Sequence, residues 1–275
     1  MTDCVNPAQL TDLMVRPLGS ILITRSDYYV VKCPERPDFV FGNYIALKKA
    51  PEHTDEVSWW KRARAEFIDC PLVNRTTVQW ESYPVPLGSA CKEETWWAEL
   101  GCSESYTKDV VLHLENLHGM LSTDSICGRK VSTPEDWKEL KSFLSTEFSG
   151  DDVTESFLDW RIDRWREIVE QGAGMWWASR CGEAMIANAG ILWSEEQSIA
   201  RLQSVVVRRD LRSKGVGRRL VAELLREMNH VSQISHVIAV AENVAPSMRL
   251  YAHLGFEQIG WQYTVARLNS EVDSW

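Results

Sequence analysis

Residues 201–217, RLQSVVVRRDLRSKGVG, constrain the fold more than any other stretch of the chain. Leu202 and the run Val205-Val206-Val207 are strand-prone, and three successive valines suit a strand covered on both faces. The chain then turns through Arg208, Arg209 and Asp210. Beyond Gly215, Val216, Leu220, Leu224 and Met228 recur at every fourth position with Val221 and Leu225 beside them, which predicts a helix with one apolar stripe. A strand, a short loop with paired glycines and a helix start together make an anion site. The first-turn N–H groups have no acceptor within the helix, and glycine lets a phosphate approach without meeting a Cβ. Seven Lys or Arg lie between Arg201 and Arg219 against one acid, Asp210, although the whole chain carries a net charge of −9. Positive charge this local points to a small phosphate-bearing ligand. The acidic remainder argues against a general nucleic-acid surface, which wants a basic face.

Two common phosphate loops do not fit. A P-loop needs Lys and Ser or Thr after its glycines, whereas Lys214 precedes Gly215. A dinucleotide fingerprint needs a small residue where Leu220 stands. The pattern Arg212-Ser213-Lys214-Gly215-Val216-Gly217, between a strand and an amphipathic helix, resembles the pyrophosphate loop of the GNAT superfamily of acyl-CoA-dependent N-acyltransferases. Further on, Asn243 is followed by Ser247-Met248-Arg249-Leu250-Tyr251 and Leu254-Gly255-Phe256, similar to the superfamily's second signature. From Asn243 to Tyr251 the chain is one residue longer than the commonest pattern, with Pro246 in between.

The resemblance implies a GNAT fold, an α/β (α+β) arrangement with a mixed, mostly antiparallel sheet flanked by helices. It implies acetyl-CoA (coenzyme A) as co-substrate, with no metal. The N–H groups of Lys214, Val216 and Arg218, with Gly215, Gly217, Arg212 and Ser213, would cradle the diphosphate. The backbone of Val205, Val206 and Val207 would run beside the pantetheine arm, and a free N–H there would meet the thioester oxygen. Asn243 and Ser247 complete the expected cofactor contacts. Tyr251 is the expected general acid for the departing thiolate. No base is assigned. Gln203 and Ser204 stand where some relatives carry a glutamate, and Glu195, Glu196, His236 and His253 read as exposed or structural.

Taken in order, residues 1–15 read as an irregular or short helical lead-in, and 20–25, 28–32 and 39–47 as strands. Residues 53–67 read as a helix capped by Thr54, 77–81 as a strand, 92–100 as a helix and 106–114 as a strand. Trp96-Trp97-Ala98-Glu99-Leu100-Gly101-Cys102 parallels Leu250-Tyr251-Ala252-His253-Leu254-Gly255-Phe256, a faint internal repeat. With it, the chain resembles tandem GNAT proteins: residues 1–122 a second, related α/β domain, degenerate or serving as scaffold, and 123–275 the catalytic domain. Residues 117–125 read as the linker. Then come a strand at 126–131, helices at 133–148 and 153–171, strands at 175–180, 183–193 and 199–207, the glycine-loop helix, a strand at 236–241, a helix at 246–253 and a strand at 256–267.

The seven cysteines are scattered and never spaced C-x-x-C, so neither a metal site nor a disulfide framework is expected. No membrane span or secretory leader is evident, and a reducing cytoplasm is expected. Of the thirteen tryptophans most should be core, though some could line a pocket for a cationic amine. The expected activity is acetyl transfer to a primary amine by direct attack. The acceptor would be a small molecule or peptide, with no nucleic acid or membrane partner, on a monomer or homodimer. A non-catalytic acyl-CoA sensor, or a transferase of a longer acyl group, is the alternative.

Overall fold

The computed structural model describes residues 6–52, 56–83, 105–115, 128–149, 153–231 and 233–273. Contacts divide the chain into two units: unit 1 is Met1–Val111, Val240–Asn243 and Gln258–Trp275, and unit 2 is Leu112–Ala239 and Val244–Glu257. The repeat at 96–102, the helix at 92–100, the Thr54 cap and the linker at 117–125 lie outside the described residues.

Unit 2 is built on strands β6 (Gly128–Lys130), β7 (Gly174–Cys181), β8 (Ala184–Ser194), β9 (Ile199–Val207) and the start of β10 (His236–Glu242). β6 to β9 pair antiparallel, and β10 then runs parallel to β9. Helices α3 (Pro134–Glu147) and α4 (Glu155–Glu170) precede β7, and α5 (Val216–Val231) connects β9 to β10. The stripe on α5 behaves as its spacing requires: Leu220, Val221, Leu224, Leu225 and Met228 are all buried. Trp176, fully buried, stacks on Trp165 of α4 at 4.5 Å and lies 6.0 Å from Trp137 of α3. Burying three indoles fixes both helices on the sheet, because each ring removes a large apolar area from water.

The start of α3 is the one the sequence signals. Thr133 Oγ1 accepts from the Asp136 N–H (3.1 Å), while Asp136 Oδ2 accepts from the N–H groups of Thr133 (3.1 Å) and Ser132 (3.2 Å). Burial pushes the Asp136 carboxyl up, but those hydrogen bonds and the Arg129 guanidinium outweigh it and hold its pKa below the ordinary value. A lowered carboxylate pKa adds stability above the unfolded value and loses it as the pH falls. Asp136→Asn should therefore cost about 1–3 kcal/mol at neutral pH. In urea titrations the gap between variant and wild type should close below about pH 4.

Unit 1 has β1 (Ile21–Thr24), β2 (Tyr28–Lys32) and β3 (Tyr44–Leu47) in an antiparallel meander, then α2 (Glu56–Glu66) and β4 (Arg75–Ser82) parallel to β3. The chain's last strand, β11 (Glu257–Leu268), pairs antiparallel with β4 over eight positions. One face of these strands is apolar. Val30, Ile45, Val78, Trp80, Tyr263 and Val265 pack with Trp60, Ala63 and Phe67 of α2, and Trp80 stacks on Tyr263 at 5.2 Å. The opposite face meets α1 (Pro7–Met14), whose Leu13 joins Val31, Tyr44 and Ala46. β5 (Ser105–Glu115) follows β4 in sequence.

Two expectations need correction. The strand expected over 39–47 is only Tyr44–Leu47; Val40–Gly42 is a 3-10 turn. The Asn43 side chain makes it so, accepting from the Cys33 N–H (2.9 Å) and donating to the carbonyls of Arg36 (2.8 Å) and Phe39 (3.0 Å). That local bonding competes with a strand ladder. A last helical turn, α7 (Asn269–Val272), was not expected. Asn269 locks it to unit 1 by accepting from Thr76 Oγ1 (2.8 Å) and donating to Val73 O (2.6 Å).

Candidate active site

The site begins with an irregularity in β9. Asn188 pairs with Val206 and Gly190 with Gln203, so Ser204 and Val205 together face Ala189 alone. This is a β-bulge, and Ser204 takes a left-handed backbone within it (φ 48°). A bulge bends its strand. The parallel ladder with β10 runs only from Ile199↔His236 to Arg201↔Ile238, and the described pairing does not extend along that edge to Val205, Val206 and Val207. On the edge toward β10, the bent end of β9 has no described ladder partner, although Val207 O accepts from Arg212 Nε (3.0 Å) and Val206 and Val207 still pair with β8 on the other edge.

Beyond β9, a 3-10 turn at Arg209–Leu211 leads into the glycine loop. Ser213 (φ 61°) and Gly215 (φ 79°) are both left-handed, and alternating hands point successive N–H groups inward as an anion nest. A Cβ on Gly215 would meet nothing within 4 Å, so only its backbone conformation requires glycine. Gly217 differs: there a Cβ would lie 2.9 Å from Leu250 Cδ1 and 3.2 Å from Val207 Cγ2. Its absence lets the first turn of α5 close on β9 and on α6 (Ala245–His253). The first α5 N–H to reach back is that of Arg219, to Gly215 O (3.2 Å); by helix geometry those of Val216, Gly217 and Arg218 have no such acceptor. Ser213, Lys214 and Arg218 are exposed, as a loop meeting a solvated diphosphate would be.

Arg212 is not turned toward that loop. Its Nη2 bonds Glu147 Oε2 (3.2 Å), and the same carboxylate oxygen accepts from the Arg209 N–H (3.2 Å). Arg209 in turn bonds Glu147 O (2.7 Å). Glu147, buried at the end of α3, is therefore the clamp that holds the loop's entry. No motif joins residues 147 and 212, and sequence reasoning missed it; only the packing of α3 on the sheet brings them together.

Tyr251 lies on α6, 7 % exposed, its ring edge-on to Phe256 at 5.3 Å. Burial raises its pKa to about 12, with Arg201 pulling the other way. The phenol is therefore protonated at any physiological pH. Against a thiol of ordinary pKa near 8.5, full proton transfer from it is roughly 5 kcal/mol uphill. A phenol that holds its proton this firmly gives it up only to a strongly basic partner. Ser247 sits in the first turn of α6, one turn before Leu250, which touches Gly217. Asn243 is exposed at the end of β10 and belongs to unit 1.

The considered bases stand away from this arrangement. Glu195 and Glu196 are exposed on the β8–β9 turn, and His253 is exposed with Nδ1 against Arg249 O. His236 Nδ1 bonds His113 Nε2 (3.0 Å), and burial, then the neighbouring imidazole, lower the His113 pKa. Among the described residues no group of three or more His, Cys, Asp or Glu could hold a metal ion, and no helix is long and apolar enough to cross a membrane.

Residues 137–256 match the sequence model of the Acetyltransferase (GNAT) family. No curated protein sequence matches the chain. Among solved structures, a functionally unknown conserved protein from Staphylococcus epidermidis superposes with a TM-score of 0.68 at 14 % identity, covering 91 % of this chain and 94 % of that one. A GCN5-related N-acetyltransferase from Kribbella flavida gives 0.61 at 12 % identity, over 94 % and 92 %. A tandem GNAT protein from the clavulanic acid biosynthesis pathway gives 0.55 at 15 % identity, over 98 % and 89 %. The bulged β9, the glycine loop and the helix after it are thus set in the fold of the GNAT acetyltransferases.

Proposed function

We propose that this chain is an N-acetyltransferase that moves an acetyl group from acetyl-CoA to a primary amine by direct attack. The observation that carries the reading is an open strand end followed closely by an anion nest: Val205 to Val207 leave the bulge and lead, through the 3-10 turn at Arg209–Leu211, to the loop at Ser213 to Gly217. The residues fit the coenzyme, since Gly215 leaves free space where a phosphate would approach. Bound acetyl-CoA supplies an acyl group already activated as a thioester.

The N–H groups from Lys214 to Arg218 hold the diphosphate by charge-assisted hydrogen bonds, and Ser247 on α6 adds a hydroxyl. The open edge of β9 would orient the arm, and an N–H near the bulge would meet the thioester oxygen as negative charge develops on it. Tyr251 holds the proton for the leaving sulfur. No base is assigned, and the amine would lose its proton to solvent or through water. We also read residues 1–122 as a degenerate related domain and 123–275 as the catalytic one. The likeness in topology supports the relatedness, each unit having an antiparallel three-strand meander, a helix and a parallel strand, although β11, within 123–275, belongs to unit 1.

Incubating the chain with acetyl-CoA and a panel of primary amines, and following free thiol, tests the activity. Amine-dependent thiol release is expected. Saturable CoA binding without such release would favour the sensor reading, which Gln203 in place of an acidic residue supports. Release from longer acyl-CoAs alone would favour the longer-chain reading. The clamp gives a second expectation. Glu147→Ala should weaken CoA binding about 10- to 100-fold, because one charged hydrogen bond fixing the loop is worth ~1.5–3 kcal/mol. Combined with Arg212→Ala it should add little, as partners in one contact do. Calorimetric titration of the two single variants and the double variant measures the coupling.

A further inference from the structure

The glycine loop carries more positive charge than a diphosphate uses. Of the seven Lys and Arg between Arg201 and Arg219, four are engaged within the protein. Arg201 is buried, Arg208 bonds Asp210 through Nε (2.6 Å) and Nη2 (3.0 Å), and Arg209 and Arg212 are tied to Glu147. Lys214, Arg218 and Arg219 remain, and all three are exposed. The acids nearby are occupied elsewhere. Asp210, its pKa lowered chiefly by the hydrogen bond from Arg208, feels Lys214 only weakly. Glu223, one turn beyond Arg219 on α5, pairs with Arg226 (3.8 Å).

This is an unfavourable place for cations. They stand just before and within the first turn of α5, at the positive end of its dipole, and that turn holds no Asp or Glu. Without a ligand the three repel one another and the dipole; a bound anion relieves both. The backbone nest already serves a diphosphate. Coenzyme A has one phosphate more, a monoester on the ribose 3′ oxygen, one ribose away from the diphosphate and with a charge of about −1.5 to −2 at neutral pH. We propose that Lys214, Arg218 and Arg219 select a coenzyme that carries this 3′-phosphate. A tetrahedral dianion accepts from an ammonium and two guanidinium groups together, and long solvated side chains reach past the backbone nest. The proposal rests on the acetyl-CoA reading of the loop, though not on whether the acetyl group is then transferred.

The test titrates CoA and 3′-dephospho-CoA into the full chain and into a variant combining Lys214→Gln, Arg218→Gln and Arg219→Gln. Exposed charge pairs are weak singly, so three on one phosphate should give wild type about a tenfold preference for CoA at low ionic strength, shrinking as KCl is added. In the triple variant the two ligands should bind within about twofold of each other. Equal affinity in wild type, or a preference that survives in the variant, overturns the proposal and leaves the diphosphate site standing. No heat with either ligand overturns the acetyl-CoA reading itself, and this proposal with it. A melt without ligand checks the starting point: with the repulsion removed, the triple variant should melt at or above the wild-type temperature. A lower temperature would place these cations in contacts of the fold, and would overturn the proposal too.

Discussion

Gly215→Val is expected to weaken CoA binding by about 30- to 100-fold while leaving the melting temperature nearly unchanged. Gly215 sits at φ 79°, a conformation a β-branched residue adopts only under strain. A Cβ there meets no atom within 4 Å beyond its chain neighbours, so the cost lies in the backbone. The strain therefore relaxes by turning the adjoining peptides, and their N–H groups no longer converge. Losing one charged hydrogen bond, worth ~1.5–3 kcal/mol, accounts for the expected range. Because the loop is at the surface, global stability should barely notice. Calorimetry with CoA and a thermal melt read the two effects separately. An affinity within threefold of wild type would remove the loop from the site.

Tyr251→Phe should lower kcat by about 10²- to 10⁴-fold with little change in the KM for acetyl-CoA. The variant keeps the ring that packs edge-on to Phe256 and deletes only the hydroxyl, so a loss of turnover reports the proton and not the packing. The pH profile makes a sharper demand. A phenol raised to about 12 must keep its proton to act as an acid, so any alkaline decline in kcat below about pH 11 belongs to another group. Such a decline should survive in Tyr251→Phe at a lower rate. Stability carries the same sign: with the folded pKa above the ordinary value near 10, the contribution is full below pH 10 and is lost as the pH rises through 12. Unchanged turnover in the variant would end the assignment.

Most of unit 2 was legible because its signals are local. The α5 stripe, the Thr133 cap and the valine strand each depend on residues within a few positions, and β9 falls at the expected 199–207. The glycines were legible too, though for different reasons than one rule supplies: Gly215 for its backbone and Gly217 for the space it vacates. What was hidden depends on distant pairing. The bulge at Ser204 follows from how β9 registers against β8, which no single-strand pattern encodes. The Glu147 clamp needs α3 and the loop to be neighbours first. In unit 1, Val40-Phe41-Gly42 has the apolar character of a strand, and the three side-chain bonds of Asn43, with the backbone bond from Gly42 N–H to Phe39 O (3.0 Å), hold it in a turn.

The pairing of β11 with β4 brings together segments some 180 residues apart, Trp261 beside Ser82 and Leu268 beside Arg75. During synthesis, unit 1 must therefore wait for the final strand to emerge, with the β4 edge exposed meanwhile to any strand able to add to it. A chain ended before Gln258 would leave that edge permanently uncovered. Such a truncation should produce insoluble material instead of a smaller working enzyme, although the glycine loop and Tyr251 would both be present.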